Sequence, residues 1–286
     1  METGNLTVTV VGLGLIGGSM ALGLKGKVGS LRGLDVSPEI LREAAVRDMA
    51  DRLGTDPREL LPGADLVVVA LYPEQTRRFI LENREVFSPG TLIMDVSGIK
   101  ETLVRDLQAG LPDTVEFLGA HPMAGREGSG IRQAREEMFL GSYFLITPTE
   151  RNTPEALGTA SAVLELLGPR KIVELDPSRH DRLMAYTSQM PHVLAALLVD
   201  GFTGDSRFLL GGSFRDATRV ASINEVLWSE LFLENRDNLL EEVRAFRDRL
   251  DRFEQLLSAG DSQGLEQWLR KVREIRENIQ AGEAGK

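Results

Sequence analysis

Acid–base chemistry near neutral pH calls for histidine, and this chain has three: His121, His180 and His192. His121 follows the strand-like run Glu116 to Ala120 and opens His121-Pro122-Met123-Ala124-Gly125, where it reads either as a base at the end of a strand or as a structural loop histidine. His192 comes directly after Pro191 inside a long helical stretch. The proline removes a helical hydrogen bond and crowds the carbonyl of Thr187, so His192 sits at a kink, either in a site or in the core. His180 precedes His192 by twelve positions, about 120° round and about 18 Å along a straight helix, so these two cannot share a metal and His180 reads as structural. Arg219, in Arg215-Asp216-Ala217-Thr218-Arg219, is able to clamp a carboxylate bidentately or to pair with Asp216 or Glu225; Lys100 and Arg126 are open in the same way. With no cysteine and no acid–histidine cluster at ligand spacing, no metal is expected.

The element that must position this chemistry lies at the start. Leu6 to Val11 is a β-branched apolar run, followed by Gly12, Gly14 and Gly17 in GLGLIGGS, a helix-compatible stretch to Lys25, and a second strand from Leu31 that stops at Asp35. Asp35 stands 23 positions after Gly12, near the spacing of about 20 of a dinucleotide fingerprint. In such a site Gly12 makes the tight turn, Gly14 lets a pyrophosphate approach, and Gly17 lets helix and strand pack closely. Leu15 and Ile16 then open the helix, and Asp35 accepts the ribose hydroxyls. Further apolar strands at Ala64 to Leu71, Thr91 to Asp95 and Tyr143 to Thr147 alternate with helices. The fold class expected is an α/β Rossmann-type doubly wound parallel sheet over residues 1–175, with ligands beyond the carboxyl ends of its strands. Ala70, Leu71, Tyr72, Ser97 and His121 all belong to that edge. From Asp176 the signals are helical, which defines an all-α second domain over 176–286. It includes one long stretch from Pro177 to Phe202, a capping box at Ser222 to Glu225, and a heptad seam of Leu239, Val243, Phe246, Leu250, Phe253 and Leu257. The seam serves an interface or packs within the domain.

Composition bounds the partners. A net charge of −10 argues against nucleic acid but allows a locally basic pocket for a small anion. No apolar run reaches a membrane span and no leader pattern precedes the first strand, so a cytoplasmic protein is expected.

The chain resembles the prephenate/arogenate dehydrogenase family, the oxidative-decarboxylation enzymes of tyrosine biosynthesis. The resemblance rests on VVGLGLIGGS, MDVSGIK (Met94 to Lys100), GAHPMAGREGSG (Gly119 to Gly130), SQMPHVLAALLVD (Ser188 to Asp200), GGSFRDATRVA (Gly211 to Ala221) and LWSELFLENR (Leu227 to Arg236). It implies NAD as cofactor and prephenate or arogenate as substrate. It also implies a homodimer through the helical domain, His121 as the hydride-coupled base, and His192 and Arg219 on the substrate. Two positions depart from the pattern. Members often read D-x-G-S-x-K, the serine supporting the histidine and nicotinamide; here Ser97 stands one place earlier. Members often carry histidine where this chain has Gln189, which can hydrogen-bond to substrate but carries no charge. The chain ends soon after the helical domain, so no appended regulatory or mutase domain is expected. A β-hydroxyacid or imine reductase is a competing reading, but such enzymes rely on a lysine in the helical domain and Met184 to Asp200 has none. A non-catalytic dinucleotide sensor would have no use for His121, His192 and Arg219 together.

Overall fold

In a computed structural model, which describes residues 2–124, 128–204 and 210–284, one sheet organises the first 174 residues. Its strands are β1 (Thr7–Val11), β2 (Ser30–Leu34), β3 (Arg52–Gly54), β4 (Leu66–Val69), β5 (Leu92–Asp95), β6 (Glu116–Pro122), β7 (Tyr143–Thr147) and β8 (Lys171–Glu174), in the spatial order β3-β2-β1-β4-β5-β6-β7-β8. The chain reverses direction across the sheet between β1 and β4, the switch point of a doubly wound fold.

The helices between the strands begin where the sequence supplies caps. Ser37-Pro38, Asp56-Pro57 and Thr153-Pro154 start α2 (Pro38–Val46), α3 (Pro57–Leu60) and α6 (Pro154–Glu165). In each case the capping oxygen accepts an N–H of the first turn and the proline fills the first helical position. With α1 (Leu15–Leu24), α4 (Pro73–Glu82) and α5 (Glu101–Gly110) they cover both sheet faces. Val8, Val10, Val68 and Met94 face one buried cluster with Met20 and Leu24. Val11, Val67, Val69 and Ile93 face the other with Ile80, Leu103 and Leu107.

The sheet is not parallel throughout. β7 runs antiparallel to β6, pairing His121 with Leu145, and β8 runs parallel to β7. A parallel strand needs a crossover that carries the chain back to the starting edge. Residues 131–139 supply two 3-10 turns instead, so the chain stays on the carboxyl edge and enters β7 from there. This connection lies against α1: Arg135 N–H donates to Ser19 Oγ at 2.9 Å, and Arg47 on the residue after α2 donates to the carbonyls of Ile131 and Ala134. Arg126 lies outside the described residues.

Beyond β8 the described residues are helical. The stretch expected as one helix is three pieces: α7 (Pro177–Met184), a π turn (Ala185–Gln189) and α8 (Met190–Asp200). Pro191 lacks the N–H that a continuous α-helix needs, and the π turn absorbs the break. After α9 (Gly212–Thr218) comes α10 (Glu225–Glu234). Its cap is Asn224, whose Oδ1 accepts Leu227 N–H at 2.9 Å, not Ser222. Leu231 of α10 joins the buried cluster that includes Ile93 and Leu103.

Residues 1–236 form one compact unit and residues 237–286 a second. The second is made of α11 (Arg236–Ser258) and α12 (Ser262–Ala284), turned by Gly260 at φ +63°. Phe253 packs on Trp268 with ring centroids 5.4 Å apart, while Leu250 and Leu257 of the seam stay half exposed or more, as do Leu269, Ile275 and Ile279. No helix among the described residues is long and apolar enough to cross a membrane.

Candidate active site

The turn after β1 is shaped by its glycines. Gly12 takes φ +82° and donates its N–H to Leu34 O at 2.8 Å; a Cβ there would lie 2.7 Å from both Ala70 O and Leu71 Cδ2. A Cβ on Gly17 would fall onto Gly12 O and within 2.9 Å of Ala70 Cβ, so helix and strand touch through this residue. Gly14, the N-cap of α1, has nothing within 4 Å of a Cβ position and no side-chain cap. The turn is closed where backbone meets backbone and open at the helix N-terminus, where Leu15 and Ile16 begin α1. A turn of that shape can receive a pyrophosphate. Asp35, buried at the end of β2, accepts Leu13 N–H through Oδ2 and Ser37 N–H through Oδ1, both at 2.9 Å. Each oxygen keeps acceptor capacity for a ribose hydroxyl. Ala70, Leu71 and Tyr72 follow β4 beside this turn, and Tyr72 Oη accepts a hydrogen bond from Asn224 of the helical part at 3.0 Å.

His121 lies on β6 at the carboxyl edge. Its Nδ1 is 3.0 Å from Nε2 of His180, whose own Nδ1 is 2.7 Å from Asp181 Oδ1. Asp181 also receives the first N–H groups of α5: Lys100 N–H on Oδ1 and Glu101 N–H on Oδ2, both at 2.8 Å. Burial holds the His121 imidazole well below its ordinary pKa of 6.5, reinforced by His180 and the Lys100 ammonium. Burial also lowers His180, against the opposing bond to Asp181. Sequence reasoning took His180 for a structural residue; the structure places it in contact with the candidate base. The available signal was His180-Asp181 in the first turn of a helix that opens at Asp176-Pro177.

Ser97 turns back toward the end of β5. Its Oγ donates to Asp95 Oδ2 at 2.5 Å, and Lys100 Nζ reaches the same carboxylate oxygen at 2.6 Å. Ser97 therefore belongs to a buried Asp95–Ser97–Lys100 cluster at the end of β5, and no described bond joins it to His121. The one-place shift of the serine is the cause. Position 98 lies beside Leu231 and the histidine, a Cβ there being 3.3 Å from Leu231 Cδ2 and 3.9 Å from His121 Cε1, and this chain has glycine at that position.

The structure brings His192 and Arg219 together. His192 Nδ1 donates to Ser188 O at 2.8 Å, leaving Nε2 as the outer nitrogen, and the ring stacks on Trp228 of α10 at 3.7 Å between centroids. Burial lowers the pKa of this half-buried histidine, and the nearby Arg219 charge lowers it further. Arg219 itself follows α9 at the start of a 3-10 turn packed against α8. Trp228 escaped sequence reasoning because a tryptophan on an amphipathic helix reads as core. Gln189, expected on the substrate, is held between the π turn and α10. It is 1 % exposed, its Nε2 donates to Leu231 O at 3.2 Å, and its Oε1 accepts from Asn235 at 2.9 Å. These two bonds join the end of the π turn to α10 and its C-terminal Asn235.

A glycine cradle and a neutral histidine on one carboxyl edge, at the switch point between β1 and β4, define a dinucleotide-dependent dehydrogenase with a helical second part. Sequence comparison narrows the class. Residues 20–173 match the family model described as "Prephenate dehydrogenase, nucleotide-binding domain" and residues 176–271 match "Prephenate dehydrogenase, dimerization domain", so the chain belongs to the prephenate dehydrogenase family. It is 29% identical to a prephenate dehydrogenase of Bacillus subtilis over 98% of this chain and 77% of that protein. Among solved structures it is similar to prephenate dehydrogenase from A. aeolicus in complex with hydroxyphenyl propionate and NAD+, with a TM-score of 0.88 and 28% identity over 96% of this chain and 98% of that one. Arogenate dehydrogenase from Synechocystis is similar too, with a TM-score of 0.82 and 28% identity over 96% and 100% of the two chains.

Proposed function

We propose that this chain is an NAD-dependent dehydrogenase that oxidatively decarboxylates prephenate to 4-hydroxyphenylpyruvate in tyrosine biosynthesis, acting as a cytoplasmic homodimer. The boundary near residue 175 then separates the cofactor domain from the substrate and dimer domain. The observation that carries the reading is His121, a histidine held neutral at the edge the glycine cradle faces, with Nδ1 already engaged. Gly12 to Gly17 and Asp35 would hold NAD, which supplies a hydride acceptor when bound. His121 Nε2 then takes the proton from the substrate's ring hydroxyl as that carbon becomes a carbonyl. The carbonyl is conjugated to the carbon bearing the carboxylate, so it draws in the electrons that carbon dioxide leaves behind, and the ring becomes aromatic. The chain supplies orientation, a base and a cationic clamp.

Arg219 and His192 are the proposed substrate anchors. Arg219→Ala should raise the KM for prephenate while leaving NAD affinity unchanged. Losing a charge-assisted clamp costs roughly 1.5–3 kcal/mol, or roughly 10- to 150-fold. An unchanged KM would make Arg219 a structural ion-pair partner.

The activity itself is tested by following NAD reduction with prephenate and with arogenate. Arogenate is the second reading, favoured by the equal identity to the Synechocystis enzyme. NAD should be preferred over NADP. Asp35 is fixed by two N–H donors where a 2′-phosphate would sit, and the next residue, Val36, is 86% exposed and carries no charge to receive one. Equal kcat/KM for the two cofactors would contradict this assignment.

A further inference from the structure

We propose that His180 and Asp181 are positioning residues for His121, fixing its ring and tautomer so that Nε2 is the basic nitrogen. This rests on the reading of His121 as the base. Asp181 accepts two backbone N–H groups from the start of α5, so its carboxylate acts as an acceptor and His180 Nδ1 must carry the proton between them. With His180 neutral, its Nε2 then bears the lone pair, and the 3.0 Å approach to His121 requires a proton on His121 Nδ1. The lone pair of His121 is left on Nε2. The opposite order would need an imidazolium in a buried place beside the Lys100 ammonium. Proton order is thus set by the backbone of a helix terminus and passed through two rings to the base.

The same contacts matter as the base gains its proton. Only a charged His180 repels the His121 proton; in the neutral form assigned here its Nε2 accepts from the Nδ1–H of the forming imidazolium with Asp181 behind it, which makes His121 more basic than it would be without that acceptor. The other charges around the pair are Lys100, which opposes protonation, and Asp95, which is ion-paired with Lys100 at 2.6 Å. Position 98 offers no hydroxyl, so among the described residues His180 is the partner of His121 Nδ1.

The test compares His180→Leu and His180→Gln in the full-length protein, with NAD and prephenate. Leucine removes the acceptor. Its kcat should fall about 10- to 100-fold, the scale seen when a histidine's outer partner is lost. KM and NAD affinity should stay within about twofold, and the acid limb of kcat should move to lower pH because His121 is less basic. Glutamine restores an acceptor oxygen, so its kcat should lie between those of leucine and wild type. Wild-type kcat with an unmoved limb in both variants overturns the proposal, as does an equal loss in both with an unmoved limb, which marks a purely structural role. If the leucine variant does not fold, the glutamine variant decides: a limb at lower pH supports the proposal and an unmoved limb overturns it. His121→Asn in the same assay separates the two readings. Full activity there removes His121 as base, and this proposal with it. An inactive His121→Asn beside a fully active His180→Leu removes the positioning role alone.

Discussion

His121→Asn is expected to lower kcat by about 10²- to 10⁴-fold, the contribution of a positioned general base. Asparagine has similar reach and can still donate to His180 Nε2, but it takes no proton. NAD affinity should hardly change, because the Gly12 to Gly17 turn and Asp35 do not contact this residue in any described bond. The pH profile of the wild type sharpens the expectation. A base works in its neutral form, so activity rises with pH through its pKa. Burial, reinforced by the Lys100 ammonium, depresses that pKa in the free protein, so the acid limb of kcat/KM should lie below the ordinary histidine value of 6.5 and activity should be flat from there to neutrality. An anionic substrate favours imidazolium, so the limb of kcat in the complex should lie above that of kcat/KM. A structural role predicts the reverse pattern for the variant: a lower Tm with near-normal turnover in the folded fraction. Wild-type kcat with an unchanged acid limb would eliminate His121 as the base and leave His192 as the next candidate.

The difference between this limb and the unperturbed value marks where sequence stops and structure begins. The glycine turn was legible because its requirements are local: a positive φ at Gly12, a close approach at Gly17 and an open helix end at Gly14 all lie within six residues. Helix starts are local in the same way where cap and first-turn proline stand together, as at Ser37-Pro38 and Thr153-Pro154, whereas the box read at Ser222 to Glu225 missed the true cap, Asn224, two residues on. What sequence alone could not place depends on distant partners. His180 reaches His121 across 59 positions and Gln189 reaches Asn235 across 46, and neither pairing leaves a periodic trace. The antiparallel β7 was hidden because YFLIT declares a strand but not its direction. The missing helical period between Met123 and Ser142 was the one available hint. Ser97 shows the cost of aligning by motif: one residue's shift sends its hydroxyl to Asp95 and leaves a glycine between Leu231 and the histidine.

Lys100→Met should unfold the protein at a markedly lower temperature. Lys100 is fully buried, and its Nζ holds Asp95 Oδ2 at 2.6 Å and Ile99 O at 2.9 Å. Burial pulls the lysine pKa below its ordinary value while Asp95 opposes the shift, so the ammonium persists because the carboxylate is there. Asp95 depends on it in turn: Oδ2 otherwise has only the N–H and hydroxyl of Ser97, and the buried Oδ1 has no partner among the described residues. Removing one member of a buried pair strands the other charge at a cost of about 3–5 kcal/mol. For a unit of this size that corresponds to a fall in Tm of roughly 6–20 °C. The backbone N–H of Lys100 still caps onto Asp181 in the variant, so the His121–His180 contact is retained and any kcat loss should be small beside the stability loss. Asp95→Asn added to Lys100→Met removes the stranded charge and should recover much of the lost Tm, which a double-mutant cycle reads as a coupling energy. An unchanged Tm in the single variant, or no recovery in the double, would mean that water or a rearranged Ser97 already satisfies Asp95. The end of β5 and the start of α5 would then be held beside His121 by the apolar contacts of Ile99 and Leu103 instead.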